Sequence, residues 1–216
     1  MKVKAALSLL VAGALALAVI SGVTAHAQVG KSLGVADVNT ATEASLAALP
    51  GLTPVIAKAL VAKRPFASIV DLNAFLLSQG LTPEQANQLY PKAFVHVNLN
   101  TATKEEILLI PGAGNKMTIE FPEYRPWRTF AQFDRNISKY VGQEATDKLK
   151  QYVFIAANAN AATDEDLMTI PGMTAATVAK LKQGRPYATK EAFEQAMARG
   201  SDAKEAGRIS RFVVFQ

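Results

Sequence analysis

The chain of 216 residues contains no cysteine, which excludes disulfides, thiolate metal sites and a thiol nucleophile. Histidine is almost as scarce: of the 2 present, His26 lies in an N-terminal apolar leader and only His96 lies beyond it. Zinc sites built on paired histidines and Ser-His-Asp arrangements therefore have too few ligands or bases, so no enzyme, cofactor or metal is expected. A large excess of one charge is also missing. The net charge is +5, and Lys2 and Lys4 belong to the leader, so the remainder carries only +3. That bias is too weak to define a strongly basic polyanion binder.

The leader is the one long apolar run. Met1-Lys2-Val3-Lys4 supplies positive charge, and Ala5 to Ile20 is apolar apart from Ser8. Ala25-His26-Ala27 has the small-x-small pattern of a signal-peptidase site, so cleavage after Ala27 is expected, giving an exported protein, periplasmic or secreted. The competing reading is an uncleaved membrane anchor, since the apolar run approaches spanning length.

What is abundant is repetition. Asn39-Thr40-Ala41-Thr42 recurs as Asn100-Thr101-Ala102-Thr103 and as Asn160-Ala161-Ala162-Thr163. Pro50-Gly51 recurs at Pro111-Gly112 and Pro171-Gly172, and Arg64-Pro65-Phe66 at Arg125-Pro126-Trp127 and Arg185-Pro186-Tyr187. A fixed period of this size marks tandem supersecondary units. The expected layout is a leader at 1–27, a linker at 28–36, and repeats at 37–96, 97–156 and 157–216. The first repeat taken with its linker, which holds Lys31, and each of the other two repeats have one more basic than acidic residue.

Local signals predict an all-α fold. Thr42, Thr103 and Thr163 stand before short apolar helices with acidic first turns, where a hydroxyl accepts an orphan N–H and carboxylates complement the dipole. Thr103 and Glu106 have capping-box spacing. Pro50, Pro111 and Pro171 end these helices. Tight turns follow at Gly51-Leu52-Thr53, Gly112-Ala113-Gly114 and Gly172-Met173-Thr174, and second helices begin, with Thr53 as N-cap and Pro54 at the first helical position. Pro122 predicts that the second helix of the middle repeat stops near Phe121. Ser68, Thr129 and Thr189 open third helices, and Gly80-Leu81-Thr82-Pro83 repeats the first turn and opens a fourth. The middle and last repeats keep only traces of that second turn, at Gly142-Gln143-Glu144 and Gly200-Ser201-Asp202. The β-prone tails Ala93 to Val97, Tyr152 to Ala156 and Phe212 to Phe215 read as short extended segments between units, with little ladder pairing.

Asn-Thr-Ala-Thr, a short helix, Leu-Pro-Gly and an Ala-rich helix resemble the helix-hairpin-helix unit of ComEA-type competence proteins, over residues 37–216. The Arg-Pro-aromatic segment resembles small exported bacterial proteins carrying one such unit. The resemblance implies an exported module that binds double-stranded DNA weakly and without sequence preference, in DNA uptake. In such hairpins a glycine turn at a helix N-terminus offers backbone N–H groups to a phosphate. Carried over, the cradles are Gly51 with Thr53, Gly80 with Thr82, Gly112 with Gly114 and Lys116, and Gly172 with Thr174. Only the middle repeat keeps both glycines and the following lysine. A Thr at the second glycine position caps the helix and competes with phosphate. Glu144 and Asp202 beside the degenerate second turns repel a phosphate.

Plainer readings stand beside each of these. The glycines serve the turn geometry whether or not DNA binds. Arg64, Arg125 and Arg185 either touch phosphate or cap carbonyls and stack on the neighbouring aromatic. Asn39, Asn100 and Asn160 are expected to form Asx turns, and His96, alone in a tail, is read as incidental. The alternative to DNA binding is a protein-binding or structural scaffold of the cell envelope, with hairpins that only pack helices and an envelope protein as partner. A membrane partner follows only if the leader stays attached.

Overall fold

The computed structural model describes residues 28–200 and 202–215, so the leader lies outside the described residues. The described residues open with β1 (Gln28–Val29) and then β2 (Ala36–Asp37), α1 (Glu43–Ala47), α2 (Pro54–Lys63), α3 (Ile69–Ser78), α4 (Pro83–Leu89) and β3 (Ala93–Phe94). The second repeat holds β4 (Val97–Asn98), α5 (Lys104–Leu108), α6 (Gly114–Glu123), α7 (Phe130–Lys150) and β5 (Val153–Ile155). The third holds β6 (Ala157–Asn158), α8 (Asp164–Met168), α9 (Ala175–Gln183), α10 (Lys190–Ala198), α11 (Ala203–Ser210) and β7 (Val213–Val214).

The fold is mostly α, and its helix starts follow the local caps. Thr42, Thr53, Ser68, Thr82, Thr103, Thr129, Thr163, Thr174 and Thr189 each accept an N–H from the first turn of the helix that follows. Thr103 and Glu106 form the expected capping box, Thr103 Oγ1 accepting Glu106 N–H at 3.2 Å and Glu106 Oε2 accepting Thr103 N–H at 2.9 Å. α6 differs from expectation by running past Phe121 to Glu123. Pro122 is exposed in its last turn, and bonds from Tyr124 N–H to Glu120 O and Arg125 N–H to Pro122 O close the end around it. α7 changes direction at Gly142, whose φ of 78° is not helical.

The tails are short extended segments with little pairing, as expected, but they are not free linkers. β2 pairs with β3, β4 with β5 and β6 with β7, each in parallel, so every repeat closes its exit strand onto its entry strand. The registers Ala36↔Ala93, Val97↔Val153 and Ala157↔Val213 place these segments in the interior, where an unpaired backbone group is costly and a two-residue ladder satisfies it. Residues 28–36 are not a free linker either. β1 pairs antiparallel with β5, and Gly30 N–H donates to Val153 O at 3.1 Å. A Cβ on Gly30 would stand 1.7 Å from Lys150 O, so only glycine admits this approach.

β5 also divides the interior. Val153 and Ile155 point into a core shared by the first two repeats, and Phe154 points into the core of the third, as strand alternation requires. Aromatic contacts extend the seam, Phe94 edge-on to Tyr152 at 5.0 Å and Phe154 tilted on Phe212 at 4.5 Å between centroids.

Each repeat carries the same internal brace. The side-chain amide of Asn39 donates to Phe66 O at 3.1 Å and accepts Phe66 N–H at 2.8 Å. Asn100 does the same to Trp127 at 2.9 and 2.6 Å, and Asn160 to Tyr187 at 2.9 and 2.7 Å. The Asx turn expected of these asparagines comes instead from residues two places earlier, where Asp37, Asn98 and Asn158 Oδ1 accept the backbone N–H of Asn39, Asn100 and Asn160. The Arg-Pro peptides that precede the braced aromatics are cis in all three repeats.

Candidate nucleic-acid interface

The geometry of the hairpins begins with their glycines. Gly51, Gly112 and Gly172 in the first turns have φ of 83°, 83° and 75°, and Gly80, Gly142 and Gly200 in the second turns have 90°, 78° and 70°. These are left-handed conformations that side chains with a Cβ resist. The turn thus needs glycine for its own shape, which accounts for the residue in all six places without any ligand.

What separates the turns is what lies around and after them. At Gly51, Gly80, Gly112, Gly114, Gly142 and Gly200 an added Cβ meets nothing within 4 Å. Gly172 differs, with Thr40 Cγ2 at 2.9 Å and Arg208 Nη2 at 3.3 Å from that position. Arg208 also hydrogen-bonds Pro171 O and pairs with Glu205 at 2.6 Å. The third repeat's first turn is therefore packed against the first repeat, at the edge of a cleft of about 510 Å³ shared with Asp37, Thr40, His96 and Thr169.

The helix N-termini differ as well. Thr53 Oγ1 takes Ile56 N–H at 3.3 Å, Thr82 Oγ1 takes Gln85 N–H at 3.3 Å, and Thr174 Oγ1 takes Thr177 N–H at 3.2 Å. Each of these caps uses a group that a phosphate would need. α6 has Ala113 at this place and no side-chain cap. Its first-turn N–H groups stay open beside exposed Gly112, Gly114 and Lys116. Lys116 Nζ lies 4.4 Å from the centroid of the Tyr140 ring, two residues before Gly142, so the two turns of the middle repeat are neighbours. Among the described residues no ion pair engages Lys116, Arg128, Arg135 or Lys139, whereas Glu144 pairs with Lys148 at 2.7 Å. Asp202 caps its own helix, accepting Lys204 N–H at 2.9 Å.

The arginines sit elsewhere. Arg64 Nη2 donates to Ala41 O at 2.6 Å, Arg125 to Leu99 O and Ala102 O at 2.8 and 2.6 Å, and Arg185 to Ala159 O and Ala162 O at 2.7 and 2.8 Å. Each is half-buried and clamps the loop before the first helix of its own repeat rather than its own helix end. Their best-placed donors are thereby used inside the protein, away from a phosphate.

His96 is not incidental. Its side chain is 4% exposed and its Nδ1 lies 2.9 Å from Asp37 Oδ2, itself 5% exposed. Arg211, from the end of the third repeat, donates to His96 O at 3.1 Å. Burial pushes the Asp37 carboxyl up, but the His96 hydrogen bond, the charges of His96 and Arg211, and the Asn39 N–H outweigh it and hold it below the usual carboxylate range. The cluster joins first and third repeats. No group of three or more His, Asp or Glu able to hold a metal occurs among the described residues.

Compared with known proteins, residues 32–94 match the helix-hairpin-helix motif family. That span holds the first repeat with its two glycine turns, so the chain contains a motif commonly used to bind nucleic acid. Neither the curated proteins nor the solved structures contain a match.

Proposed function

We propose that this chain is an exported, non-enzymatic protein of ComEA type, made of three tandem helix-hairpin-helix units, that binds double-stranded DNA through backbone phosphates and acts in DNA uptake. The observation that carries the reading is the open turn Gly112–Gly114, uncapped at the start of α6 and followed by Lys116. It sits in a chain whose first repeat matches the helix-hairpin-helix motif. Backbone N–H groups and one ammonium read phosphate charge and no base edge, so binding is indifferent to sequence. The leader supports export, with Gln28 as the new N-terminus.

A salt series on a 30-base-pair duplex tests this reading. Phosphate neutralisation makes log K fall with log salt by about 0.9 per phosphate, and Lys116→Ala is expected to lower that slope by about one. No binding at low salt, or an affinity that ignores salt, contradicts the reading.

One observation favours a scaffold in the cell envelope instead. The Gly172 turn already packs against Thr40 and Arg208, so at least one hairpin of this chain serves packing. On that reading Gly114→Ala with Lys116→Glu leaves function intact, and a pull-down recovers an envelope protein.

A further inference from the structure

The contact between Lys116 and Tyr140 joins the two hairpins of the middle repeat. Lys116 is the third residue of α6, and Tyr140 stands two places before the second-turn glycine. Lys116, Glu120 and Tyr124 follow one another at intervals of four, so they form one stripe along α6 and its C-cap, and Tyr140 meets that stripe. The ring is held in place from below: the Tyr124 and Tyr140 hydroxyls are 2.8 Å apart, and Tyr124 leans on Trp127 at 5.8 Å between centroids. Glu120 is buried, with Oε2 unpartnered within this seam. The hydrogen bond to Tyr124 and the carboxylate of Glu120 push the Tyr140 phenol well above its ordinary range, so the ring stays neutral.

The other repeats lack this arrangement. At the places of Lys116, Glu120 and Tyr124 the first repeat has Val55, Ala59 and Lys63, and the third has Ala176, Lys180 and Gly184. Two residues before their second-turn glycines stand Ser78 and Ala198, with no ring. The aromatic platform and the uncapped turn occur in the same repeat.

An exposed lysine stem otherwise spreads over many rotamers, and a phosphate contact must gather them. A ring face engages one side of the ammonium and leaves its remaining N–H donors outward. We infer that Tyr140 is a positioning residue that holds the Lys116 ammonium beside the Gly112–Gly114 turn, so that one phosphate meets the open N–H groups and the cation together. The inference rests on the reading of that turn as a phosphate site.

A double-mutant cycle tests it, using the mature chain and a 30-base-pair duplex at low salt. Tyr140→Leu is expected to weaken binding about threefold, the scale of an exposed cation–π contact, and Lys116→Ala at least as much, because the ammonium itself is lost. The double variant is expected to bind no more weakly than Lys116→Ala, because the ring acts only through the lysine. Tyr140→Phe keeps the ring face and is expected to bind like the wild type. The Lys116 Hε protons are expected upfield in the wild type and in Tyr140→Phe, and at ordinary positions in Tyr140→Leu. Equal weakening by Tyr140→Leu with and without Lys116, or no weakening at all, overturns the positioning role while DNA binding stands. A wild-type protein that binds no duplex overturns the phosphate reading beneath it.

Discussion

Asp37→Ala is expected to destabilise the protein by about 3–5 kcal/mol, the cost of removing a buried carboxylate and leaving its hydrogen-bonded and charged partners uncompensated. The carboxylate is 5% exposed and accepts from His96 Nδ1 and from Asn39 N–H, both at 2.9 Å. Arg211 is half-buried and owes part of its charge compensation to Asp37. Removing the carboxylate leaves the half-buried Arg211 guanidinium with less compensation and a turn without its acceptor. Thermal unfolding should register this as a drop of roughly 10 °C for a chain of this size. Asp37→Asn should cost less, since Asn98 and Asn158 perform the same turn in the other repeats. It should also change the acid response. The folded Asp37 titrates below its ordinary value, so its contribution is present above the unfolded pKa of about 3.9 and is lost as pH falls through the lower folded value. Unfolding curves from pH 5 to pH 2 should therefore be flatter for Asp37→Asn than for the wild type. An Asp37→Ala protein as stable as the wild type would show that the cluster is solvated.

The second large effect is expected at the brace. Asn100→Ala should cost about 2–4 kcal/mol, because it strands two backbone groups of Trp127, each worth about 1–3 kcal/mol when left unpaired. Those groups are the N–H at 2.6 Å and the C=O at 2.9 Å from the amide, on a residue that is 1% exposed. Asn39→Ala and Asn160→Ala remove the same pair from Phe66 and Tyr187 and should cost similar amounts. Asn100→Asp keeps the acceptor and loses the donor, so it should fall between alanine and wild type. Urea midpoints measure the series. A loss under about 0.5 kcal/mol for Asn100→Ala would mean that water replaces the amide and that the brace is not structural.

How much of this was legible in the sequence follows from the range of each interaction. Helix starts at Thr42, Thr53, Thr103 and Thr163 are set within three residues of the cap, and a linear reading reaches that far. The short ladders were not legible, because Ala36 meets Ala93 only after the intervening helices have folded back. The Asn39 amide was read as a local turn, yet its partner is Phe66, 27 residues on. The Asp37–His96 pair spans 59 residues, but it left a trace: where Asn98 and Asn158 occupy the turn, the first repeat alone has an acid, and it alone has a histidine in its tail. For the site, the uncapped turn at Gly112–Gly114 was readable from Gly114, which stands where Thr53 and Thr174 cap the helices of the other repeats. The packing of Gly172 against Thr40 was not, since it depends on how the third repeat meets the first.

Amide chemical-shift mapping tests most directly whether this chain grips duplex DNA through the middle repeat's open turn. A short duplex would be titrated into ¹⁵N-labelled protein comprising residues 28–216 at low salt. The largest shifts are expected at Gly112, Gly114, Asn115 and Lys116, with smaller ones around Gly142 and little change at Gly172, and all should collapse as salt is raised. Shifts confined to other surfaces, or a spectrum that DNA leaves unchanged, would contradict the assignment.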